Sequence, residues 1–393
     1  MVEALFDKVA PWLAGDGPEA AWAVCCQCSL LRNLSDFPFP PTCSEDEKRS
    51  VEERVLGVLD NQNLLATGQY CSMANLTRRE AHVLAERRLI PFEVARSKAH
   101  GGAYISDDQC AGIAVNGSDH LCLTMLGSGL QLQEVWTRLN LLDDDLAGAL
   151  DYAFDERFGY LTTSLAHVGT GLKASVILHL PALAMSNALS GLVQMTRQRR
   201  QAIHGLKPTL FVPAASTPPA PRANAPISED RAARTSEAGE AFYMDLTGAL
   251  YGDVNEAQGD LHILTNLSTL GTSEQEILFH LRHTATDIIA QEKAAREALV
   301  SKERRRIEDR VARALGIARN ARLLGFTEAV SLLSSLRLGL DTRLLSGFSL
   351  SHLNELLLAS QSAHLKAKTG RDCDEWTLSV ERADLFRARF APE

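Results

Sequence analysis

The sequence predicts an α+β chain in which a mixed portion, residues 1–270, is followed by an all-helical portion, residues 271–393. Three observations carry this division. From Thr272 onward apolar residues recur at helical spacing, opening with Ser273 and, three residues later, Glu276, the spacing of a capping box. Upstream, Phe242 to Leu250 is short, apolar and strand-like. Between the two patterned stretches, Lys207 to Glu237 gathers six of the fourteen prolines among Ala, Ser and Thr. Such a composition cannot bury enough apolar surface to offset the entropy of ordering, which predicts a flexible insertion.

In chain order, Pro181 to Leu206 reads as a helix ending in the basic run Arg197, Arg199, Arg200, and the insertion and the strand-like segment follow it. Behind Ser273, Leu278, Leu281, Ile288 and Ile289 mark the inward stripe of a long helix, and Lys302 to Arg306 its solvated face. Further helices are expected over Ala329–Leu338, Leu350–Leu358 and Leu378–Arg389. No internal repeat is evident.

The bulk composition narrows the function classes. The chain has 393 residues, 45% of them hydrophobic and 23% charged, with a formal net charge of −9. That balance argues against a general nucleic-acid binder, which presents an excess of Lys and Arg to phosphates. No stretch approaches the roughly 18 apolar residues of a membrane span. Glu3, Asp7 and Lys8 stand where a secretory leader carries a basic segment and an apolar run, so a cytoplasmic protein is expected. Of eight cysteines, Cys25, Cys26, Cys28 and Cys43 cluster, but paired C-x-x-C knuckles are absent. Core packing or redox-sensitive thiols are expected there in preference to zinc.

Motifs spread along the chain carry a family resemblance. They include Arg32 to Pro40 (R-N-L-S-D-F-P-F-P), Leu84 to Pro91 (L-A-E-R-R-L-I-P), Gly129 to Trp136 (G-L-Q-L-Q-E-V-W), Asp151 to Thr162 (D-Y-A-F-D-E-R-F-G-Y-L-T), Gly159 to Leu183 and Leu336 to Asp341 (L-R-L-G-L-D). In this order they resemble bacterial protein arginine kinases of the ATP:guanido phosphotransferase superfamily. The resemblance implies a guanido kinase-like catalytic domain over 1–270, an antiparallel sheet flanked by helices, and a helical C-terminal domain over 271–393. It also implies ATP and magnesium as cofactors.

Phosphoryl transfer to a guanidinium needs a cationic clamp for the triphosphate and a carboxylate that orients the nucleophile and helps remove its proton. At the positions where the family supplies these, this chain departs from the pattern. Gln27 and Ser29 replace two clamp arginines, leaving Arg32; Gly117 and Ser118 replace both glutamates; Cys122 and Gly248 replace further arginines. Ser164 stands at the family cysteine, His167 at an asparagine, and Lys173 at an arginine, keeping charge without the fork. Asp253 shortens the second carboxylate by one methylene. Arg87, Arg322 and His120 match family residues of the nucleotide site, while Gly169-Thr170-Gly171 lacks the G-K-[ST] ending of a phosphate loop. Removing one preorganised donor costs about 2.7–4 kcal/mol, so three uncompensated losses approach about 10⁵-fold.

The resemblance also implies a C-terminal phosphoarginine-binding motif, R-D-x-x-R-A, where this chain reads L-S-V-E-R-A, keeping Arg382. Arg382 reads equally as a surface helix residue. The expected function is a pseudokinase that binds a protein partner: an active protein arginine kinase, its activator or an unfoldase of the same quality-control system. An active ATP-dependent protein arginine kinase with a rebuilt site, using Asp253, Lys173, Arg87 and Arg32, is the alternative, and a nucleotide or phosphoarginine sensor a third. The leucine-rich runs Leu332–Leu345 and Leu353–Leu358 suggest a dimer through the helical domain, or simply an internal core.

Overall fold

A computed structural model describes residues 9–97, 100–206 and 251–391. The flexible insertion expected over 207–237, the strand expected over 242–250 and Gly248 lie outside the described residues. Nine strands form one antiparallel sheet: β1 (Ala23–Arg32), β2 (Gly68–Ser72), β3 (Gly102–Ser106), β4 (Ala111–Val115), β5 (Leu121–Ser128), β8 (Leu172–His179), β9 (Gln201–Leu206), β10 (Tyr251–Gly252) and β11 (Leu261–Asn266). Their spatial order is β10-β9-β11-β8-β1-β5-β4-β3-β2, and β6 (Phe154–Asp155) pairs with β7 (Gly159–Tyr160) in a separate hairpin. The helices are α1 (Glu45–Asn61), α2 (Arg78–Glu86), α3 (Phe92–Arg96), α4 (Leu132–Ala147), α5 (Pro181–Met185), α6 (Leu189–Gln198), α7 (Glu274–Asn320), α8 (Phe326–Asp341), α9 (Leu350–Ala359), α10 (Ser362–Thr369) and α11 (Glu375–Phe390).

Because side chains alternate along a strand, β1 serves two layers at once. Its even-numbered residues Cys26, Cys28 and Leu30 enter a core shared with Val51 and Val55 of α1, Trp136 and Leu139 of α4, and Leu278, Leu281 and Ile288 of α7. Cys25 and Leu31 face the other way, toward Leu84 of α2 and Phe92 and Val94 of α3. The period-2 geometry thus splits the Cys25/Cys26/Cys28 cluster between two layers. All three are buried free thiols, and among the described residues no group of three or more His, Cys, Asp or Glu could hold a metal.

The long helix α7 opens on the expected capping box: the Ser273 side chain accepts from the Glu276 amide and Glu276 from the Ser273 amide. Its first half lies on the sheet core. Glu303, at φ −129° and ψ 32°, interrupts the helical geometry, and beyond it Ala314 and Ala318 join a second core with Leu332, Leu333 and Leu336 of α8, Leu353 and Leu356 of α9, and Phe386 and Phe390 of α11. These leucines are internal. A buried ionic cluster ties the layers together: Glu292 accepts from the amides of Ala182 (3.0 Å) and Leu183 (2.9 Å) and from Arg296 Nε (2.7 Å). Arg296 in turn donates to Asp341 on α8 (2.8 Å) and to the carbonyl of His179 on β8 (3.0 Å).

The helix expected over Pro181–Leu206 is corrected: it is α5 and α6, followed after a turn by β9. The turn falls at Arg200, whose φ of +55° ends helical geometry. β9 then gains its place through pairing with β11, a tertiary influence that a local periodicity does not report. No helix of the described residues is long and apolar enough to cross a membrane.

Candidate functional site

The pairing register defines one sheet face residue by residue. Across β1, Ser29 lies opposite Thr124 of β5 and Lys173 of β8, Gln27 opposite Ser175, and Leu31 opposite Cys122. Directly paired residues share a face, so Gln27, Ser29, Cys122 and Lys173, all positions where the sequence departs from the arginine-rich pattern, line one strip.

That strip is closed on itself by hydrogen bonds. Arg88 Nε donates to Gln27 Oε1 (2.9 Å), Gln27 Nε2 donates to Ser29 Oγ (3.1 Å), and Ser29 Oγ and Thr124 Oγ1 share a hydrogen bond of 2.9 Å. Cys122 Sγ lies 3.7 Å from Thr124 Oγ1, and burial pushes its thiol up to about 12, so it stays neutral. Ser29 is 1% exposed and Lys173 6%. Beside the strip, a largely apolar cavity of about 90 Å³ lies between Cys25, Ile177 and Leu261 of the sheet and Phe326, Val330 and Leu357 of α8 and α9.

Arg32 is on the opposite face. It is 2% exposed and gives a bidentate pair to Asp143 of α4 (Nε to Oδ1 3.2 Å, Nη2 to Oδ2 2.7 Å). Its Nη1 donates to the carbonyls of Leu31 (3.0 Å) and Thr170 (2.9 Å), and the guanidinium stacks 3.6 Å from the Tyr160 ring centroid. Gly171 makes room for it: with φ +68°, a Cβ there would stand 2.6 Å from Arg32 Nη1. The G-T-G segment therefore cradles an arginine of the chain itself. Arg87, at the C-terminus of α2, is 4% exposed and donates to Gln109; burial lowers its pKa to about 10.

His120 is buried, accepts from the Leu34 amide at Nδ1 (3.0 Å) and approaches Cys43 Sγ with Nε2 (3.6 Å). An Nδ1 that accepts leaves the proton on Nε2, and burial lowers the pKa to about 4, so the ring is neutral. Next to it, Asp119 accepts from Asn33 Nδ2 (2.6 Å) and from the Thr163 amide (2.7 Å), and Thr163 Oγ1 donates to the Ser118 carbonyl (2.8 Å). These bonds hold the 162–164 loop, with Ser164 exposed, against the 116–120 turn. His167 is half-buried in the short 3₁₀ turn that follows. Asp253 is exposed and caps the next turn, accepting from the Asn255 amide (2.8 Å).

Two predicted residues lie in the helical portion, away from the sheet. Arg322 is exposed in the connection between α7 and α8. Arg382 is fully buried, which corrects the reading of it as a surface residue: it donates to the carbonyls of Ser360 (2.8 Å) and Leu324 (2.9 Å). Its helix packs against α7, α10 and α8, and only long-range packing decides that. Three further residues bear on the site without having been singled out in the sequence: Asp143, which holds Arg32; Arg88, whose φ of +62° turns it toward Gln27; and Glu93 on α3, which hydrogen-bonds Ser118.

Comparison with known proteins places this geometry. The family model described as ATP:guanido phosphotransferase, C-terminal catalytic domain, matches residues 50–209, and that described as Protein-arginine kinase McsB C-terminal domain matches residues 304–393, beginning one residue past the break at Glu303. A protein-arginine kinase from Pelotomaculum thermopropionicum is 32% identical over 97% of this chain and 95% of its own length. The chain belongs to the protein-arginine kinase family. A second family member, from Symbiobacterium thermophilum, is 34% identical over 97% of this chain and 96% of its own length. Among solved structures, lombricine kinase superposes with a TM-score of 0.53 at 18% identity, covering 74% of this chain and 71% of that one. The duplicated taurocyamine kinase of Schistosoma mansoni gives 0.51 at 17% identity, covering 69% and 33%. Both share the guanidino kinase fold.

The family name implies ATP, and the strip fits a triphosphate poorly. Neutral amide, hydroxyl and thiol groups already satisfy one another where a polyphosphate needs charged, forked donors.

Proposed function

We propose that this member of the protein-arginine kinase family is a pseudokinase that acts by binding a protein partner rather than by transferring phosphate. The observation that carries this reading is the closed neutral chain Gln27–Ser29–Thr124–Cys122 on the central strands. Lys173 and Arg88 are the cations beside it, and Arg88 is already committed to Gln27. The partner is an active protein arginine kinase, its activator or an unfoldase of the same quality-control system.

A second reading, an active protein arginine kinase with a rebuilt site, is favoured by the names of the relatives and by the charge interaction of Lys173 with Glu93. The phosphoarginine-sensor reading is weakened by Arg382, whose donors serve backbone carbonyls in the helical core. Titration calorimetry with Mg-ATP, followed by mass spectrometry of casein incubated with protein and Mg-ATP, tests the proposal. No submicromolar nucleotide binding and no phosphoarginine are expected. Phosphoarginine that disappears in Asp253→Ala overturns the pseudokinase reading.

A further inference from the structure

Gly117 and Ser118 carry no acid, yet an acid is present beside them. Glu93 enters from α3, and its Oε1 lies 3.7 Å from the point where a Gly117 Cβ would stand. Val94 Cγ2 lies 3.0 Å from the same point, so α3 occupies the room that a larger side chain at 117 would need. The glycine and the carboxylate are thus two halves of one arrangement.

The environment of Glu93 is unusual for a structural acid. Its Oε1 is buried with no hydrogen-bond partner, a state that a buried acceptor does not keep without cost. Burial raises its pKa, opposed by hydrogen bonds from the Ser118 side chain and backbone and by the charge of Lys173. The same carboxylate helps hold the Cys122 thiol neutral, while Lys173 works against it. Beside this carboxylate stands the Ser118 turn, to which Thr163 of the 162–164 loop is hydrogen-bonded. A planar cation with several N–H donors would supply what Oε1 lacks, and would favour the ionised carboxylate that burial disfavours.

We propose that Glu93 is the carboxylate that receives a guanidinium in this chain, so that the site binds an arginine side chain although positions 117 and 118 offer no acid. The proposal rests on membership of the guanido phosphotransferase family and not on whether phosphate moves, and it assigns Glu93 a binding role in either case. The simpler account, in which Glu93 only balances Lys173, makes the opposite statement about ligands: no arginine compound would sense the residue.

The test uses the full chain and N-acetyl-arginine amide, with the citrulline amide as a neutral isostere and the lysine amide as a non-planar cation. NMR or calorimetric titration is expected to rank arginine above both, and Glu93→Gln is expected to weaken arginine binding by about tenfold or more, the range for a hydrogen bond to a charged group. Lys173→Met, which removes the competing cation, should tighten it. Thermal melting of each variant separates lost binding from lost folding; should Glu93→Gln unfold, Gly117→Val, which crowds Val94 and Glu93, serves as the second blocking variant. Equal binding of arginine and citrulline amides, or arginine binding unchanged in a folded Glu93→Gln or Gly117→Val protein, overturns the proposal. Phosphoarginine formed in the same samples with Mg-ATP would instead overturn the pseudokinase reading and leave Glu93 as the acid that orients the nucleophile.

Discussion

Ser29 and Arg32 stand three residues apart on one strand and belong to different layers, and this separation governs what each can do. Ser29 lies on the face that carries Lys173, while Arg32 is locked against Asp143 beneath it. The residue types at 27, 29, 117, 118 and 122 drew attention in the sequence because each stands inside a motif that carries the family resemblance. The fate of Arg32 was legible in principle too, since an odd-to-even step along a strand reverses the side chain. Glu93 was not legible: what brings it beside Gly117 is the placement of α3, which no local pattern encodes. The Arg32–Asp143 pair, with side chains 2% and 8% exposed, makes a residue-scale prediction. Arg32→Met should cost about 3–5 kcal/mol, because it strands a buried carboxylate, and adding Asp143→Leu should recover more than half of that loss. Urea unfolding of both single variants and the double variant gives the coupling directly; additive losses would mean that the pair is not a structural unit.

Among the elements, α2 connects the site to the helical domain. Its last residue, Glu86, is buried and accepts from the amides of Ala363 (2.9 Å) and His364 (3.1 Å), capping α10, and from His364 Nδ1 (2.7 Å). Two residues further on, Arg88 reaches Gln27, so one short segment holds both the distant helix and the strip. The cap was invisible in the sequence because its two partners are more than 270 positions apart. Local caps such as Ser273 with Glu276 were visible, being three residues apart. Glu86→Ala removes the acceptor of two helix-terminal amides and a buried imidazole, an expected loss of about 3 kcal/mol. Hydrogen exchange should register this as lost protection at Ala363 and His364 with little change in β1; unaltered exchange in α10 would show that α10 is held by apolar packing alone.

For the whole molecule, the geometry moves the question of assembly to a different surface. Leu332, Leu333, Leu336, Leu353 and Leu356 are taken up by the core between α8, α9 and α11, so these five leucines serve as internal core. The first half of α7 buries Ile277, Leu278, Leu281, Ile288 and Ile289 against the sheet layer, and a 271–393 fragment would expose that stripe and associate through it artificially. Association therefore has to be measured on the full chain. Beyond Glu303, the exposed large apolar residues among the described ones are Trp376 at 67%, Leu323 at 51% and Ile317 at 37%. Trp376 and Leu323 are near one another, because the Leu324 amide donates to the Ser379 carbonyl (2.9 Å). Exposed aromatic residues of this kind anchor interfaces, and truncating an anchor costs about 2 kcal/mol or more of binding. If the protein pairs with itself or with an active protein arginine kinase through its helical domain, Trp376→Ser combined with Leu323→Ser should weaken that pairing by at least about thirtyfold in sedimentation velocity and leave the melting temperature unchanged. A wild-type chain that stays monomeric alone and in the mixture removes the assembly proposal. Pairing that survives the double substitution moves the interface off this patch, to the sheet side of the molecule, where Phe279 is 67% exposed near the start of α7.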